Sequence, residues 1–376
     1  MNYYNGDEIL KYAQKNDCPF IAVVGGKGNG KTYYFIRKAL QARIKQGYIS
    51  RYLRRYAESI KPKAIQSLCN PHVQTLINLT EGRFNGFHYY QNRFYLVRRE
   101  NNKIVEKDIK PFLVCSALNS VEANTGADEG QCAFILFDEF MSREKEIDDC
   151  YYKLMIFHNN CIRNRTNIFC PLVLIGNTVT RNSCLAREFG VDLYKLKQGE
   201  ITAVKNKNDE FCIVVEYCGI VEVMEQAEQT YYKRFENDRV KMIYRGEWTI
   251  GNYPHLPADI INQSVDLLNI KIISPSNKAL SFTIKKASGR KPYGFVKLYT
   301  DDKEEVICTL INKTILTKPH TFNYLPQRGI FKKIIYLIYT KQVFFESCEV
   351  GEMFRDFLNE FNGCSQLRNI YKWYVQ

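Results

Sequence analysis

The sequence predicts an α/β protein with a mostly parallel sheet, followed by a helical linker and a smaller part in which strands dominate. Three observations lead there. Apolar runs alternate with helical stretches over the first half, and the runs are unbroken rather than alternating, as strands covered on both faces require. At 376 residues the chain is too long for one small domain. Composition shifts after about Met224: residues 225–248 are polar and helix-prone, and Asn252, Pro254 and Pro257 then break the pattern. The expected organisation is therefore residues 1–224, a linker over 225–263, and a C-terminal domain over 264–376.

Taken in order, Pro19–Val24 (PFIAVV) is a short apolar run ending in glycines, a buried strand entering a loop. Thr32–Gln46 has helical character, with Gly47 as its C-cap. Tyr48–Tyr56 reads as a second strand, carrying Arg54 and Arg55. Phe87–Tyr90 and Arg93–Val97, around Gln91-Asn92, form a hairpin. Phe112–Leu118, Ala133–Phe137 (AFILF) and Leu172–Gly176 (LVLIG) are further apolar strands, with a helical stretch beginning near Glu146 between the last two. Past residue 264 the expected strands are Leu280–Lys285, Tyr293–Tyr299, Glu305–Ile311 and Ile334–Tyr339, then a helix over Val350–Phe361.

The composition, 45% hydrophobic and 25% charged, suits a globular protein with a sizeable core. No internal repeat or low-complexity tract stands out. The N-terminus reads as acidic and polar rather than as a leader, and no run approaches the roughly 18 apolar residues of a membrane span. The 13 cysteines are scattered without a C-x-x-C pair, and the five histidines show no metal-ligand spacing. Buried thiols in a reducing compartment are expected. The formal charge of +13 points to a polyanionic partner, or else simply to a basic surface. Residues 265–376 hold 17 Lys and Arg against 10 Asp and Glu. The densest spot there is Lys285, Lys286, Arg290 and Lys291, read either as a nucleic-acid contact or as a solvated hairpin loop.

Chemistry concentrates in two motifs. Gly25, Gly26, Lys27, Gly28, Asn29, Gly30, Lys31 and Thr32 match G-x-x-x-x-G-K-[ST], with an apolar strand before and a helix after. The glycines let backbone N–H groups wrap phosphates at a helix N-terminus. Lys31 is expected on the β- and γ-phosphates and Thr32 on Mg²⁺. Downstream, AFILF ends in Asp138 and Glu139, the first placed to hold Mg²⁺ and the second to polarise an attacking water. This pairing indicates an ASCE-type P-loop ATPase, with ATP and Mg²⁺ as cofactors. A competing N-K-x-D match at Asn206–Asp209 lies in a polar, turn-like run, and the acidic strand lacks the D-x-x-G of a GTPase switch. Asn177, after LVLIG, is a candidate γ-phosphate sensor or a strand-end turn residue. Arg163, in Arg163-Asn164-Arg165, is either a surface arginine or a finger reaching a neighbouring subunit's nucleotide.

Together GGKGNGKT, RYLRRY (Arg51–Tyr56), ILFDEF (Ile135–Phe140) followed by SREKE, CIRNRTN (Cys161–Asn167) and VLIGNT (Val173–Thr178) resemble, in that order, the packaging ATPases of φ29-like phages. The resemblance spans roughly residues 15–190 and includes the pieces that flank the generic motifs. It implies an ATPase driving double-stranded DNA into a procapsid. It also implies a homo-oligomeric ring, a pentamer, at the portal vertex in the host bacterial cytoplasm, with or without a structural RNA as a further partner. Lys31 and Thr32 would meet nucleotide and Mg²⁺, Asp138 would hold Mg²⁺, Glu139 would be the catalytic base and Arg163 the trans-acting finger. One departure is Ala57, where the family can carry a lysine; Arg51, Arg54 and Arg55 are the candidate substitutes.

The C-terminal part resembles the larger terminases only in layout, which implies an RNase H-like α+β domain. Leu280–Lys286, taken as its first clear strand, holds no Asp or Glu to ligate a catalytic metal. A nuclease-like domain that grips nucleic acid or docks to the portal without cutting is therefore expected. The other functional classes that fit are a cutting terminase, a cellular-type translocase or helicase, and a non-catalytic scaffold.

Overall fold

A computed structural model describes residues 3–120, 131–141, 147, 149–163, 169–178, 183–221, 245–248, 253–273, 279–299, 306–309, 321–322 and 330–360. The chain divides into two compact units, Met1–Thr249 and Ile250–Gln376. Most of the expected linker lies outside the described residues.

The first unit is built on a ten-stranded sheet. Its centre is parallel, in the order β6 (Leu113–Ala117), β2 (Ile49–Arg54), β7 (Cys132–Asp138), β8 (Leu172–Asn177), β1 (Phe20–Gly25) and β10 (Phe211–Tyr217). Antiparallel strands flank it: β3 (Gly86–Tyr90), β4 (Arg93–Glu100) and β5 (Lys103–Lys107) on one side, β9 (Ile201–Lys205) on the other. The helices are α1 (Asp7–Lys15), α2 (Lys31–Gln46), α3 (Pro62–Ile65), α4 (Val73–Leu79), α5 (Cys150–Ile162) and α6 (Cys184–Glu188).

The unbroken apolar runs have a direct cause. Along β1, Ile21 and Val23 enter one core while Ala22 and Val24 enter the other. Alternate side chains leave opposite faces of a strand, and here neither face meets water. The first core gathers Tyr34, Phe35, Tyr52 and Leu136; the second gathers Leu53, Phe137, Leu154 and Leu174. Helix α2 ends as expected at Gly47, in the left-handed conformation with φ 73°. The β3–β4 hairpin turns at Gln91 and Asn92, both at positive φ, which matches the right-handed strand twist. The N-K-x-D segment is the β9–β10 turn, with Lys205 paired to Asp209 at 2.9 Å and Asp209 at φ 63°. It leads into the N-terminal end of β10, the edge of the sheet opposite the glycine loop that follows β1, so the guanine-reading interpretation fails. The described cysteines are free thiols, most of them buried.

The second unit is a six-stranded sheet in the order β15 (Thr321–Phe322), β14 (Val306–Thr309), β11 (Val265–Ile273), β12 (Ala279–Lys286), β13 (Tyr293–Leu298) and β16 (Val343–Phe345). Strands β11, β12 and β13 pair antiparallel, and β14 is parallel to β11. Its helices are α7 (Ala258–Asn262), α8 (Ile330–Tyr339) and α9 (Cys348–Glu360). Ile270, Phe282, Val296, Ile334, Ile338 and Phe354 form its core.

Two expectations are corrected here. Ile334–Tyr339 is the end of a helix, not a strand: Ile334, Leu337 and Ile338 are buried while Tyr336 and Tyr339 are exposed, a period of 3.6. The first strand of this unit is β11, and it does carry an acid, Asp266. A register shift between Asp266 and Leu268 breaks the alternation that would have marked the strand.

The core reading is testable. Leu136→Ala, in the fully buried centre of β7, should cost about 2–5 kcal/mol, read as a lower urea midpoint of unfolding.

Candidate nucleotide site

The site begins where β1 ends. Gly25 closes the strand and Lys31 opens α2, so the loop between them presents its backbone at a helix N-terminus. Gly28 and Gly30 have φ 83° and 96°, conformations that favour glycine. A Cβ on Gly28 would meet no atom within 4 Å, so the loop is open beside it.

Lys31 is only 3% exposed. Its ammonium donates to the Gly26 carbonyl at 2.7 Å, to Asn29 Oδ1 at 3.0 Å and to the Gly25 carbonyl at 3.2 Å. Asn177, at the end of β8 and in register with Gly25, brings its Oδ1 within 3.5 Å of the same ammonium. Burial pushes the Lys31 pKa down to about 8, against smaller opposing effects of Asp138 and Glu216.

Strand β7 delivers Asp138, 7% exposed, beside the loop. Its Oδ2 accepts from the Tyr52 hydroxyl at 2.7 Å, the Thr32 hydroxyl at 3.2 Å and Arg54 at 3.4 Å. Burial and the Asp138 charge hold the Tyr52 hydroxyl protonated well above its ordinary range. The Thr32 hydroxyl and the Asp138 carboxylate are the hard oxygens that Mg²⁺ takes together with phosphate and water. The open glycine cradle, the adjacent ammonium and this oxygen pair fit a nucleotide with Mg²⁺.

Glu139 turns away from the strand at φ 58°, its N–H donating to Asp138 Oδ1. A non-glycine residue there costs about 1 kcal/mol. The turn carries its carboxylate, about half exposed, to Arg54 at 2.5 Å. Arg54 therefore bridges both acids. Arg55 is spent differently: it is buried and donates to the Phe140 carbonyl at 2.8 Å. Of the three arginines weighed against Ala57, Arg54 is thus placed on both Asp138 and Glu139.

Sequence reasoning missed Tyr52 as a site residue. The available signal was its spacing from Arg54, since residues two apart on a strand share a face. The structure thus gathers Gly25–Thr32, Asp138, Glu139 and Asn177. Arg163 stands apart as the exposed C-cap of α5, where a cation also complements the helix end. Among the described residues its guanidinium has no ion-pair partner.

The C-terminal basic cluster splits. Lys285 pairs with Asp266 at 2.5 Å and is largely covered. Lys286, Arg290 and Lys291 are exposed around the β12–β13 turn. At the middle of β11, Asn269 accepts from Ser281 and Thr283 at 2.6 and 3.0 Å. Among the described residues no group of three or more His, Cys, Asp or Glu is placed to hold a metal, and no helix is long and apolar enough to cross a membrane.

A glycine loop between a parallel strand and a helix, with an acid-ended strand beyond the neighbouring one, has the arrangement of a P-loop fold. More particularly, the chain shares its fold with phage packaging motors. It is similar to the Phi-28 gp11 DNA packaging motor at TM-score 0.53 and 17% identity, over 96% of this chain and 98% of that one. It is similar also to a chain of the bacteriophage Phi-29 viral genome packaging motor assembly, at TM-score 0.53 and 15% identity, over 94% of this chain and 99% of that one. No protein-family model and no curated protein sequence matches it.

The lysine makes a pH-dependent prediction. Below about pH 8 its ammonium is charged; above, it must take up a proton to meet phosphate. ATP affinity should therefore fall as pH rises through 8, approaching about tenfold per unit. Titration with a fluorescent ATP analogue between pH 7 and 9.5 would read it, and a flat profile would contradict it.

Proposed function

We propose that this chain is the ATP-driven motor that translocates double-stranded DNA into a phage procapsid. The observation that carries it is a packaging-motor fold along almost the whole chain, in which Lys31, Thr32, Asp138 and Glu139 converge beside one open glycine loop. Bound Mg²⁺ would supply charge stabilisation on the phosphoryl oxygens. The chain's own residues do the rest. Gly25–Thr32 hold the phosphates through backbone N–H groups, and Lys31 neutralises charge on the β- and γ-oxygens. Thr32 and Asp138 hold the cation. Glu139 takes the proton of the attacking water once its carboxylate is free of Arg54. Asn177, already beside Lys31, senses the γ-phosphate. Arg163, exposed and with no ion-pair partner among the described residues, reaches the nucleotide of a neighbour in a homo-oligomeric, pentameric ring.

The organisation we propose is an ATPase domain over 1–224, a helical linker over 225–263 and an RNase H-like domain over 264–376. The last reading is supported by the antiparallel β11–β12–β13 meander continued by parallel β14 and β15 beyond β11. It grips or docks rather than cuts, because Asp266 is neutralised by Lys285 and Asn269 occupies mid-strand. Exposed Lys286, Arg290 and Lys291 would touch DNA phosphates. The portal, the procapsid and a structural RNA are its assembly partners, in the host bacterial cytoplasm.

The direct test is packaging of DNA into purified empty capsids by this protein with ATP. Lys31→Ala should abolish hydrolysis. Glu139→Gln should keep ATP bound and slow turnover by about 10²–10⁴-fold; near-normal turnover would remove Glu139 from the role of base. Mixtures of Arg163→Ala with Glu139→Gln subunits should regain part of the activity lost by each, and an Arg163→Ala protein that hydrolyses normally with DNA and capsids present would end the finger assignment.

Neutralising Lys286, Arg290 and Lys291 together should flatten the salt dependence of duplex binding, by up to about 0.9 in log–log slope per lost contact. Nicking of supercoiled plasmid with Mn²⁺ would refute the non-cutting reading.

A further inference from the structure

Residues Arg245–Trp248, the last described segment of the first unit, meet the phosphate loop by bare backbone. Gly246 has φ 68°, and a Cβ built on it would lie 2.3 Å from Gly26 N, 2.9 Å from Gly26 Cα and 3.2 Å from the Gly25 carbonyl carbon. No side chain fits between them, and backbone atoms cannot rotate aside.

The segment is fastened from its other side. The Tyr217 hydroxyl donates to the Gly246 carbonyl at 2.6 Å in a buried bond, and Gln198 Nε2 donates to the Arg245 carbonyl at 2.7 Å. Tyr217 is the last residue of β10 and the register partner of Val24, immediately before Gly25. The Trp248 ring lies 6.1 Å from that of Tyr217 and packs against the second core cluster. The segment is thus anchored to the strand beside the loop while it presses on the loop itself.

The peptides it presses are the ones Lys31 uses. The Lys31 ammonium rests on the Gly25 and Gly26 carbonyls. Phosphate draws such an ammonium toward its own oxygens, so these two peptides lose a partner when ligand arrives. A backbone held against them registers that change, because close-packed contacts transmit small shifts.

We propose that Arg245–Trp248 is a strap that sets the position of Gly25–Gly26, that Gly246 is a positioning residue for phosphate binding, and that loop occupancy is passed through this contact to Trp248. The proposal rests on the nucleotide reading above. A contact that served packing alone would change stability when altered, but not nucleotide affinity.

The test uses the full-length protein, Mg²⁺ and a fluorescent ATP analogue. Gly246→Ala should weaken binding by about tenfold or more, since the new methyl must displace the loop that the phosphates need. Gly82→Ala is the control: it has a similar φ of 83° with nothing within 4 Å of the added atom, so it carries the same backbone strain without the contact. Its affinity should stay within about twofold of wild type. Tyr217→Phe adds no volume and removes the bond to Gly246, and should weaken binding by about two- to tenfold. In a Trp373→Phe background, where Trp248 is the remaining tryptophan, ATP should change the emission of Trp248. Wild-type affinity in both Gly246→Ala and Tyr217→Phe, or a silent Trp248, would overturn the strap while leaving the nucleotide site standing. If Gly246→Ala does not fold, Tyr217→Phe and the Trp248 signal decide alone. Failure of the wild type to bind the analogue would instead overturn the nucleotide reading, and the strap with it.

Discussion

A carboxylate withdrawn from water has to be met by donors, and Asp138 sets that demand for the whole site. An isolated buried charge is costly enough that the surrounding chain must answer it. Two elements do, α2 with Thr32 and β2 with Tyr52 and Arg54, while β7 carries the acid itself. For these groups to meet on one oxygen, the ends of β2 and β7 must be level and the glycine loop must return α2 over them. The parallel register, with Tyr52 opposite Leu136 and Leu53 opposite Phe137, supplies that alignment.

The cation of the site is constrained in the same way. Lys31 is removed from water by the glycine loop and is satisfied by carbonyls and by the amides of Asn29 and Asn177. These partners are neutral, so a phosphate competes with them on favourable terms. Glu139 is held differently. Its carboxylate lies half in solvent against Arg54, a pairing of modest strength. Lys31 and Asp138 are therefore held in buried contacts, while Glu139, the base in the proposed reaction, lies in an exchangeable one.

The second unit shows how far a charge count misleads until pairing is known. Lys285 belongs to a dense basic run, yet Asp266 lies across the strand pair and takes it. Only the turn beyond keeps its cations toward solvent. Mid-strand polarity is likewise consumed internally, where Asn269 accepts from two buried hydroxyls. What remains is the exposed turn with Lys286, Arg290 and Lys291, the part of the cluster on which the proposed phosphate contacts rest.

Much of this molecule was legible without coordinates. The parallel centre of the first sheet could be read because strands buried on both faces leave continuous apolar runs, and β1, β7 and β8 are such runs. That the glycine loop, Thr32 and Asp138 would meet could be read from a strand–loop–helix motif followed by an acid-ended apolar strand. Strand β11 escaped because a register shift interrupts its alternation, and the end of α8 passed for a strand because six apolar and aromatic residues in a row carry no clear period. Tertiary structure alone decided the pairings. It set Arg55 on a backbone carbonyl and Arg54 on two acids, although the two are adjacent in sequence, because Arg54 ends β2 on the Tyr52 face and the chain bends away at Arg55. It also brought Gly246 against Gly26 across more than half the chain, a contact between backbones that no side-chain pattern encodes.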